Sequence, residues 1–495
     1  MADSTKRYIA VDLGAECGKV VLASVASGKV TTEILHSFPV GTVHIGGRAL
    51  WDIYAAYAGV LKGLSIAGSR GVSIESVGID AWGPGLVPVA GDGSFPALPR
   101  LCNDFLSESV HSKFFKRLAR RDLYEATGVN VLDSGAALQL FCLRRERSSA
   151  LEFTKYFLSV PDAMVYLLTG KRVSGFTSLS AAGLLDRRTG KLSKEVLNAC
   201  KVRPKRFPAM VQAGTKIGKL TEEVGQATGL GRVQVVAVAG HNLASAVAAL
   251  PVGATAAPAS GGNVFGIKDG VAFISLGPVC VMGVETASPV VNDQTFEMNL
   301  SNEAGVGGAN LLVRRIPGMD LLSRCVAAWR AAGRAYGPED LARMAREGVP
   351  AAAQLDPEDP ALLAVSDAPA AIVRYCSLRS MAVPADDAAI VRLVYTSLAE
   401  KLDDVFVGLQ SVCPFRLKSL YLFGPGVQDS VLCQMIADEC AVPVTAGPED
   451  AAVLGNVLVQ SGLTRDTLAG SLASVTYTPG SLATDYAPGP LNRSL

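Results

Sequence analysis

Short apolar runs that end in glycine turns recur along the chain, with segments of helical periodicity between them. This mixture of strand-like and helix-like segments is typical of an α/β fold. The pattern predicts strands at residues 8–12, 20–25, 76–79, 86–89, 271–275 and 279–284. It predicts helices at residues 54–64, 109–118, 138–146, 163–168, 319–332, 338–346 and 388–412.

The two halves of the chain open in a similar way. DLGAECG at 12–18 and SLGPVCVMG at 275–283 each place a glycine turn between two short apolar strands. This parallel suggests a duplicated architecture that clasps a nucleotide, although the halves share little other sequence. We therefore predict a first domain at 7–250, a second at 251–475, and a loose Pro/Gly/Thr-rich tail at 476–495. The Gly/Pro/Ala-rich start of the second region is an interdomain crossing or a surface loop.

Length and composition narrow the class of protein. The 495 residues are 49% hydrophobic, and 46 basic against 45 acidic side chains give a net charge of +1. This balance argues against nucleic acid or an anionic membrane as the main partner, and the length favours two large domains. We find no secretory signal, no apolar run of ~20 residues, and ten cysteines without a C-x-x-C pair. We therefore expect a cytoplasmic protein with reduced thiols and no membrane span.

The segment at 235–250, VVAVAGHNLASAVAAL, carries the most informative polar residues. An apolar run ends at Gly240, the pair His241–Asn242 follows, and a small-residue helix begins. Such a junction delivers polar side chains to the rim of a sheet, where α/β enzymes place their chemistry. An Asn at this point is expected to cap the helix as well as an Asp does.

A second candidate site is the loop between the first two predicted strands. Its glycines allow close backbone approach, so that N–H groups of 15–19 can point at a phosphate. Asp12 at the strand end is a candidate for holding Mg²⁺ through water, and Lys19 for neutralising phosphate charge. A tight hairpin with a solvated Asp is the alternative, and the G-x-x-x-x-G-K-[ST] pattern of a P-loop is absent.

Three further segments carry polar side chains near glycines. The sequence DAWGPG at 80–85 offers a carboxylate and an indole face for a sugar, although a lone Trp is more often a core residue. The NEAGVGG loop after Leu300–Ser301 is a polar, close-approach loop or a plain glycine-rich turn. The FGPGVQD turn at 423–429 leaves room for an adenosine at Gly424 and Gly426, and its polar end caps the next helix.

In order along the chain, DLGAECGK, DAWGPGL, AGHNLASAV, SLGPVCVMG, SNEAGVGG and FGPGVQD resemble the motifs of the FGGY carbohydrate kinases, and within them the rhamnulokinases. The resemblance implies two actin-like (ribonuclease H-like) domains flanking a catalytic cleft. It also implies transfer of the γ-phosphoryl group of ATP, with Mg²⁺, to the 1-hydroxyl of L-rhamnulose.

Site residues follow from the same resemblance, together with the polar residues noted above. The position of the catalytic base is Asn242, beside His241. The expected sugar contacts are Asp80, Trp82, Gly83, Asp104, His241, Leu243 and Asn302. The expected ATP contacts are Ala15, Glu16, Cys17, Gly18, Lys19, Gly277, Pro278, Gly424 and Gly426.

Several positions depart from the family pattern. Asn242 stands for the catalytic Asp and cannot accept the hydroxyl proton, and Pro278 replaces a nucleotide-contacting Thr. Lys19 replaces an Arg, and Glu16 brings negative charge to the phosphate loop. Three hypotheses remain: a sugar kinase that uses Asp80 or Asp104 as a substitute base, a pseudokinase that binds sugar or nucleotide, and a different actin-fold ATPase.

Overall fold

The computed structural model describes residues 5–83, 85–101, 106–130, 135–250, 270–349, 352–363, 365–469 and 471–480. The chain forms two compact units that are interleaved in sequence. The first unit comprises Met1–Ile267, Glu285–Leu312 and Ala451–Ser471, and the second comprises Lys268–Val284, Val313–Asp450 and Leu472–Leu495. The domain boundaries proposed at 250 and 475 stay predictions.

The strands are β1 (Lys6–Leu13), β2 (Cys17–Ala26), β3 (Lys29–Pro39), β4 (Thr42–Ile45), β5 (Arg48–Trp51), β6 (Ser76–Ala81), β7 (Leu86–Ala90), β8 (Thr154–Ser159), β9 (Ser174–Gly175), β10 (Leu185–Asp186), β11 (Lys191–Leu192), β12 (Met210–Val211), β13 (Lys216–Lys219), β14 (Gln234–Val236), β15 (Val271–Ser275), β16 (Val279–Thr286), β17 (Ser301–Ala304), β18 (Asn310–Pro317), β19 (Ser419–Phe423), β20 (Val444–Ala446) and β21 (Val475–Tyr477).

The helices are α1 (Ile53–Ser69), α2 (Glu108–Phe115), α3 (Arg120–Thr127), α4 (Ala136–Arg145), α5 (Ser149–Phe153), α6 (Val160–Thr169), α7 (Phe176–Ala181), α8 (Lys194–Cys200), α9 (Glu222–Thr228), α10 (Asn242–Ala248), α11 (Asp293–Glu297), α12 (Asp320–Ala331), α13 (Pro338–Glu347), α14 (Ala368–Leu378), α15 (Asp387–Val412), α16 (Ser430–Cys440), α17 (Ala451–Ser461) and α18 (Arg465–Ala469). None of them, within the described residues, is long and apolar enough to cross a membrane.

The first unit is built on a mixed sheet with strand order β13-β14-β6-β1-β2-β3. Strand β1 pairs antiparallel with β2 and parallel with β6, so the ends of β1 and β6 lie side by side. Buried side chains of β1, such as Ile9 and Val11, belong to one core with Val60 and Leu64 of α1. Burying such aliphatic side chains contributes roughly 1.5–3 kcal/mol each, which fixes the β1 and β6 ends in place.

The second unit contains a sheet in which β18, β16, β15, β19, β20 and β21 are neighbours in that order. Its centre repeats the arrangement of the first unit, because β15 pairs antiparallel with β16 and parallel with β19. The predicted duplication and the α/β fold class are therefore confirmed. The 26-residue helix α15 begins at the N-cap Asp386, whose side chain accepts from the N–H of Ala389.

Each predicted element overlaps an observed one, and further elements, such as β4, β5 and α3, were not predicted. The apolar run that ends at Gly240 forms a strand only at β14, because residues 237–240 leave the sheet for irregular backbone. Strand β3 was not predicted, since its side chains are mostly exposed and its pattern is weak. Residues 475–477, placed partly in a loose tail, form β21 against β20; residues 481–495 lie outside the described part.

Candidate active site

The β1–β2 hairpin presents its tip as an exposed loop. The N–H of Gly14 donates to the carbonyl of Cys17 at 3.0 Å, and Ala15, Glu16 and Cys17 are exposed. Gly18 is buried, and a Cβ there would lie 2.5 Å from the ring of Phe38, so packing requires glycine. The predicted hairpin is therefore correct, and its three tip residues remain open to a ligand such as a phosphate chain.

Two carboxyl groups meet where β1 and β6 end. Asp12 and Asp80 are register partners on these neighbouring strands, and Asp80 has no exposed surface. Burial raises the pKa of Asp80 well above its usual range, and the adjacent Asp12 raises it further, against a hydrogen bond from Asn456 that lowers it. A carboxyl group that is buried and hard to ionise is a poor proton acceptor, and it is withdrawn from any ligand.

This geometry bears on two expectations for Asp80. The structure gives no support to Asp80 as a substitute base, because its carboxyl group is held inside the protein. Its role as a direct sugar contact stays a prediction, and the same burial counts against it. The sequence identified Asp80 correctly as a residue at a strand end but could not show that its side chain faces inward.

A buried hydrogen-bond network holds the side chain of Asp80 in place. The Asn456 amide of α17 donates to Asp80 Oδ2 at 2.7 Å, and Gln460 donates to Asn456 Oδ1 at 2.7 Å and to the carbonyl of Ile9 at 3.0 Å. Ser76 completes the network by donating to Gln460 Oε1 at 2.7 Å. Because buried amides need partners, the network holds α17 against β1 and β6. Neither Asn456 nor Gln460 was singled out from the sequence.

The junction between β14 and α10 lies next to the end of β6. Ala81 forms a parallel bridge with His241, and the N–H of Ala81 donates to the carbonyl of Gly240 at 2.9 Å. The N-cap of α10 is His241, and Asn242 is the first residue inside the helix. The expectation that Asn242 caps the helix was wrong, because the backbone leaves its extended conformation one residue earlier than the sequence suggested.

His241 is almost fully buried, whereas Asn242 is partly exposed. The His241 Nδ1 lies 3.4 Å from Glu303 Oε2 of β17, and Glu303 is only 1% exposed. Arg187 is a cation near Glu303: burial lowers the pKa of Arg187, and the charge of Glu303 opposes that lowering. The sequence pointed to the loop that contains Glu303 but not to this side chain.

Asn302, the neighbour of Glu303, is fully buried and uses its side-chain groups inside the protein. Its Oδ1 accepts from the N–H of Val290 at 2.7 Å and from Asn310 at 3.0 Å. Its Nδ2 donates to the carbonyls of Gly128 at 3.1 Å and Val290 at 2.9 Å. These four bonds make Asn302 a structural residue in this conformation, and its contact with sugar stays a prediction.

The other expected sugar contacts differ in exposure. Trp82 is partly buried against the main core, and its backbone N–H donates to the carbonyl of Leu13 at 2.8 Å. Gly83 has a φ of +79°, which favours glycine in the turn that follows β6. Leu243 is buried in α10, and Asp104 lies outside the described residues.

A cluster of hydroxyl groups borders the junction and was not predicted. Helix α7 carries Ser178, whose Oγ lies 2.5 Å from where a Cβ on Gly240 would be, and Ser180, which accepts from the N–H of Ala304 at 2.9 Å. Next to it is Asp162, whose buried carboxylate accepts from the N–H of Gly175 at 2.9 Å. Burial raises the pKa of Asp162 to about 6. Two serines of α7 and an aspartate of α6 are too far apart in the sequence to form a pattern that could reveal this cluster.

In the first unit, the ends of β1 and β6 therefore lie beside the Gly240–His241 junction. Asp12, Asp80–Trp82 and Gly240–His241 are joined by backbone bonds, and the exposed tip at residues 15–17 belongs to the same hairpin as Asp12. Within the described residues no cluster of three or more His, Cys, Asp or Glu could hold a metal ion.

The second unit contains the remaining expected ATP contacts, and they adjoin one another. Pro278 is exposed in the β15–β16 turn beside buried Gly277. The N–H of Gly426 donates to the carbonyl of Leu276 at 2.9 Å, and a Cβ on Gly426 would lie 2.5 Å from the Leu276 side chain. Gly424 has a φ of +93° and packs against the same leucine. The space at Gly426 thus accommodates Leu276, and its contact with adenosine stays a prediction.

Comparison with known proteins identifies both halves of the chain. Residues 7–248 match the N-terminal domain, and residues 272–462 the C-terminal domain, of the FGGY family of carbohydrate kinases. A rhamnulokinase of Bacteroides thetaiotaomicron is 37% identical over 92% of this chain and 90% of that protein. A rhamnulokinase of Bacillus subtilis is 28% identical over 92% of this chain and 89% of that protein.

Solved structures show the same fold at low sequence identity. The xylulose kinase from Rhodospirillum rubrum superposes with a TM-score of 0.76 at 16% identity, covering 96% of this chain and 95% of that one. Glycerol kinase from Plasmodium falciparum, solved with ADP, gives a TM-score of 0.75 at 12% identity, covering 96% and 94%.

Proposed function

The chain belongs to the FGGY family of carbohydrate kinases, and from this premise we propose that it transfers the γ-phosphoryl group of ATP to the 1-hydroxyl of L-rhamnulose. Membership makes the protein an ATP-dependent sugar kinase. The choice of sugar rests on one observation, the 37% identity with a rhamnulokinase over nearly the whole chain. A cytoplasmic location is part of the same proposal.

The first unit supports a division of labour among its residues. The exposed tip Ala15–Glu16–Cys17, with Gly18 and Lys19, would receive the phosphate chain of ATP, because backbone N–H groups and an ammonium group favour anions. Trp82, Gly83 and His241 would hold the sugar, with the apolar face of the indole against the C–H groups of the ring. In the second unit, Gly277, Pro278, Gly424 and Gly426 would contact the nucleotide.

The residues present fit Mg²⁺ bound with the nucleotide. Mg²⁺ keeps several waters and usually takes one or two carboxylates together with substrate phosphates, so a dedicated protein cage is not needed. Asp12 is partly exposed at the end of β1, one hairpin turn from the expected phosphate position. Asp12 would hold the ion through water, and the ion would supply neutralisation of the charge on the phosphates.

Phosphoryl transfer depends mainly on positioning and on charge stabilisation, which this arrangement can supply without a carboxylate at 242. Asn242 is the observation that favours the second candidate function, a protein that binds sugar or nucleotide without turnover. The loss of a positioned base costs about 10²–10⁴-fold in rate, and this leaves turnover measurable in a sugar kinase.

Purified protein with Mg·ATP and L-rhamnulose tests the proposal, with D-xylulose and glycerol as competing substrates. We expect ADP release that depends on L-rhamnulose, with the product phosphorylated at the 1-hydroxyl by ³¹P NMR. Asp12→Asn should lower kcat/KM by at least tenfold, whereas the control Asp122→Asn, at an exposed residue of α3, should not. A higher kcat/KM for D-xylulose or glycerol would identify a different substrate. Binding of sugar or ATP without ADP release would support the non-catalytic alternative.

A further inference from the structure

Position 242 lacks the carboxylate that usually accepts the sugar proton, and the described part of the chain limits which side chain can replace it. The amide of Asn242 is not basic at neutral pH. Asp80 is fully buried and bound to Asn456, and Glu303 is 1% exposed, so neither carboxyl group is open to a sugar hydroxyl. The basic side chain next to position 242 is the imidazole of His241.

The position of Glu303 favours one tautomer of the His241 imidazole. With Nδ1 at 3.4 Å from Glu303 Oε2, the carboxylate attracts the imidazole proton to Nδ1. The lone pair of the neutral ring then lies on Nε2, which is the nitrogen that can accept a proton. A carboxylate that orients a histidine in this way also stabilises the imidazolium that forms, which is the general logic of a His–carboxylate pair.

Three other charged side chains of the described residues belong to the elements around this pair: Arg187, Asp162 and Asp80. Arg187 interacts with Glu303, and its Nη2 donates to Asn310 Oδ1 at 3.3 Å, which keeps a cation beside the carboxylate. Asp162 belongs to the cluster around Ser178, and Ser178 borders Gly240. Asp80 is the residue before Ala81, which forms the bridge with His241. Among the described residues, Glu303 is the carboxylate placed at ion-pair distance from the imidazole, and Arg187 interacts with Glu303 in turn.

We infer that His241 Nε2 accepts the proton of the sugar hydroxyl in this chain, with Glu303 as its positioning residue. The inference rests on the proposed function. The sugar oxygen forms a bond to the γ-phosphorus, the bond from that phosphorus to the β–γ bridging oxygen breaks, and ADP leaves with the electron pair. The hydroxyl proton moves to Nε2, and the imidazolium later releases it to solvent.

The deciding experiment removes the imidazole with and without a carboxylate at 242. We expect His241→Gln to lower kcat by about 10²–10⁴-fold in the natural sequence. In an Asn242→Asp background, where the new carboxylate can take the proton, the same change should cost less than tenfold. A residue that only contacts sugar would cost the same in both backgrounds, because its contact does not depend on the base.

Two further measurements guard against misfolding. An active His241→Gln/Asn242→Asp double variant proves that the imidazole is not needed for folding, and added imidazole should restore part of the kcat of His241→Ala. Glu303→Gln should lower kcat more than it changes the KM for sugar or ATP. The exposed residues His44 and Glu297 supply the controls His44→Gln and Glu297→Gln, which should leave kcat unchanged.

The outcomes separate this inference from the proposed function. Equal losses in both backgrounds, in a wild type that phosphorylates L-rhamnulose, overturn the inference and leave the proposed function intact. A wild type without turnover beside an active Asn242→Asp variant overturns it too, since His241 is present and does not suffice. If neither turns over any sugar, the proposed function fails and the inference falls with it.

Discussion

Replacing Asp162 by Asn should remove a pH-dependent loss of stability. Asp162 is only 6% exposed, and its Oδ2 accepts from the Ser159 hydroxyl at 2.5 Å and the Gly175 N–H at 2.9 Å. Burial raises its pKa from 3.8 to about 6, although both hydrogen bonds favour the charged form. An Asn oxygen can accept the same two bonds without carrying charge.

The direction of the pH effect on stability depends on whether the folded or the unfolded state holds the proton of Asp162. Between pH 3.8 and about 6 the native carboxyl group is protonated and the unfolded one is not, so rising pH favours unfolding. The contribution of Asp162 to the free energy of unfolding is fully present below pH 3.8 and is lost above about pH 6. A shift of about two pKa units corresponds to about 3 kcal/mol, of which about 2 kcal/mol falls between pH 4.5 and 7.5.

Urea unfolding at pH 4.5 and 7.5 measures this difference. We expect the wild type to lose about 2 kcal/mol more than Asp162→Asn over that range, because every other titrating group is common to both proteins. The exposed change Asp122→Asn serves as the matched control and should follow the wild type. An identical pH dependence in wild type and Asp162→Asn would refute a raised pKa at this position.

Three other perturbations test separate parts of the structure. Cys17 is exposed at the hairpin tip, so iodoacetamide should modify it in the native protein. Mg·ATP should slow that modification at least several-fold, which peptide mass spectrometry can measure. Arg465 and Glu285 form a buried bidentate ion pair with N–O distances of 2.8 and 2.9 Å. Arg465→Met should therefore lower the free energy of unfolding in urea by about 3–5 kcal/mol. A loss below ~1 kcal/mol would contradict a buried charge pair. A Cβ on Gly78 would collide with Asn456 Oδ1. Gly78→Ala should therefore destabilise the protein by about 1–3 kcal/mol and lower its melting temperature. An unchanged melting temperature would contradict the close packing of α17 against β6.

The sequence predicted the strands and turns that open each half of the chain well, because these carry strong local signals. Apolar runs followed by glycine identify β1 and β15, and the hairpin tip at residues 15–17 follows from the glycines around it. Periodicity also located α15 to within one residue at its start. These features depend on neighbours in the sequence, so pattern is enough to find them.

The sequence could not predict which polar side chains face inward. Asp80 and Asn302 have the composition of ligand-binding residues, yet both are fully buried and bonded to partners far along the chain. The pairing of His241 with Glu303, and the amide network of Asn456, also join distant segments. Only the packed fold brings these groups together, so no local pattern records them.

The rate at which the unaltered protein forms L-rhamnulose 1-phosphate from L-rhamnulose and Mg·ATP is the most direct test. With His241 as proton acceptor, we expect turnover in the range of about 1–100 s⁻¹ that is usual for kinases. Absence of the product after hours at millimolar sugar, in a protein that is folded and binds ATP, would contradict the account.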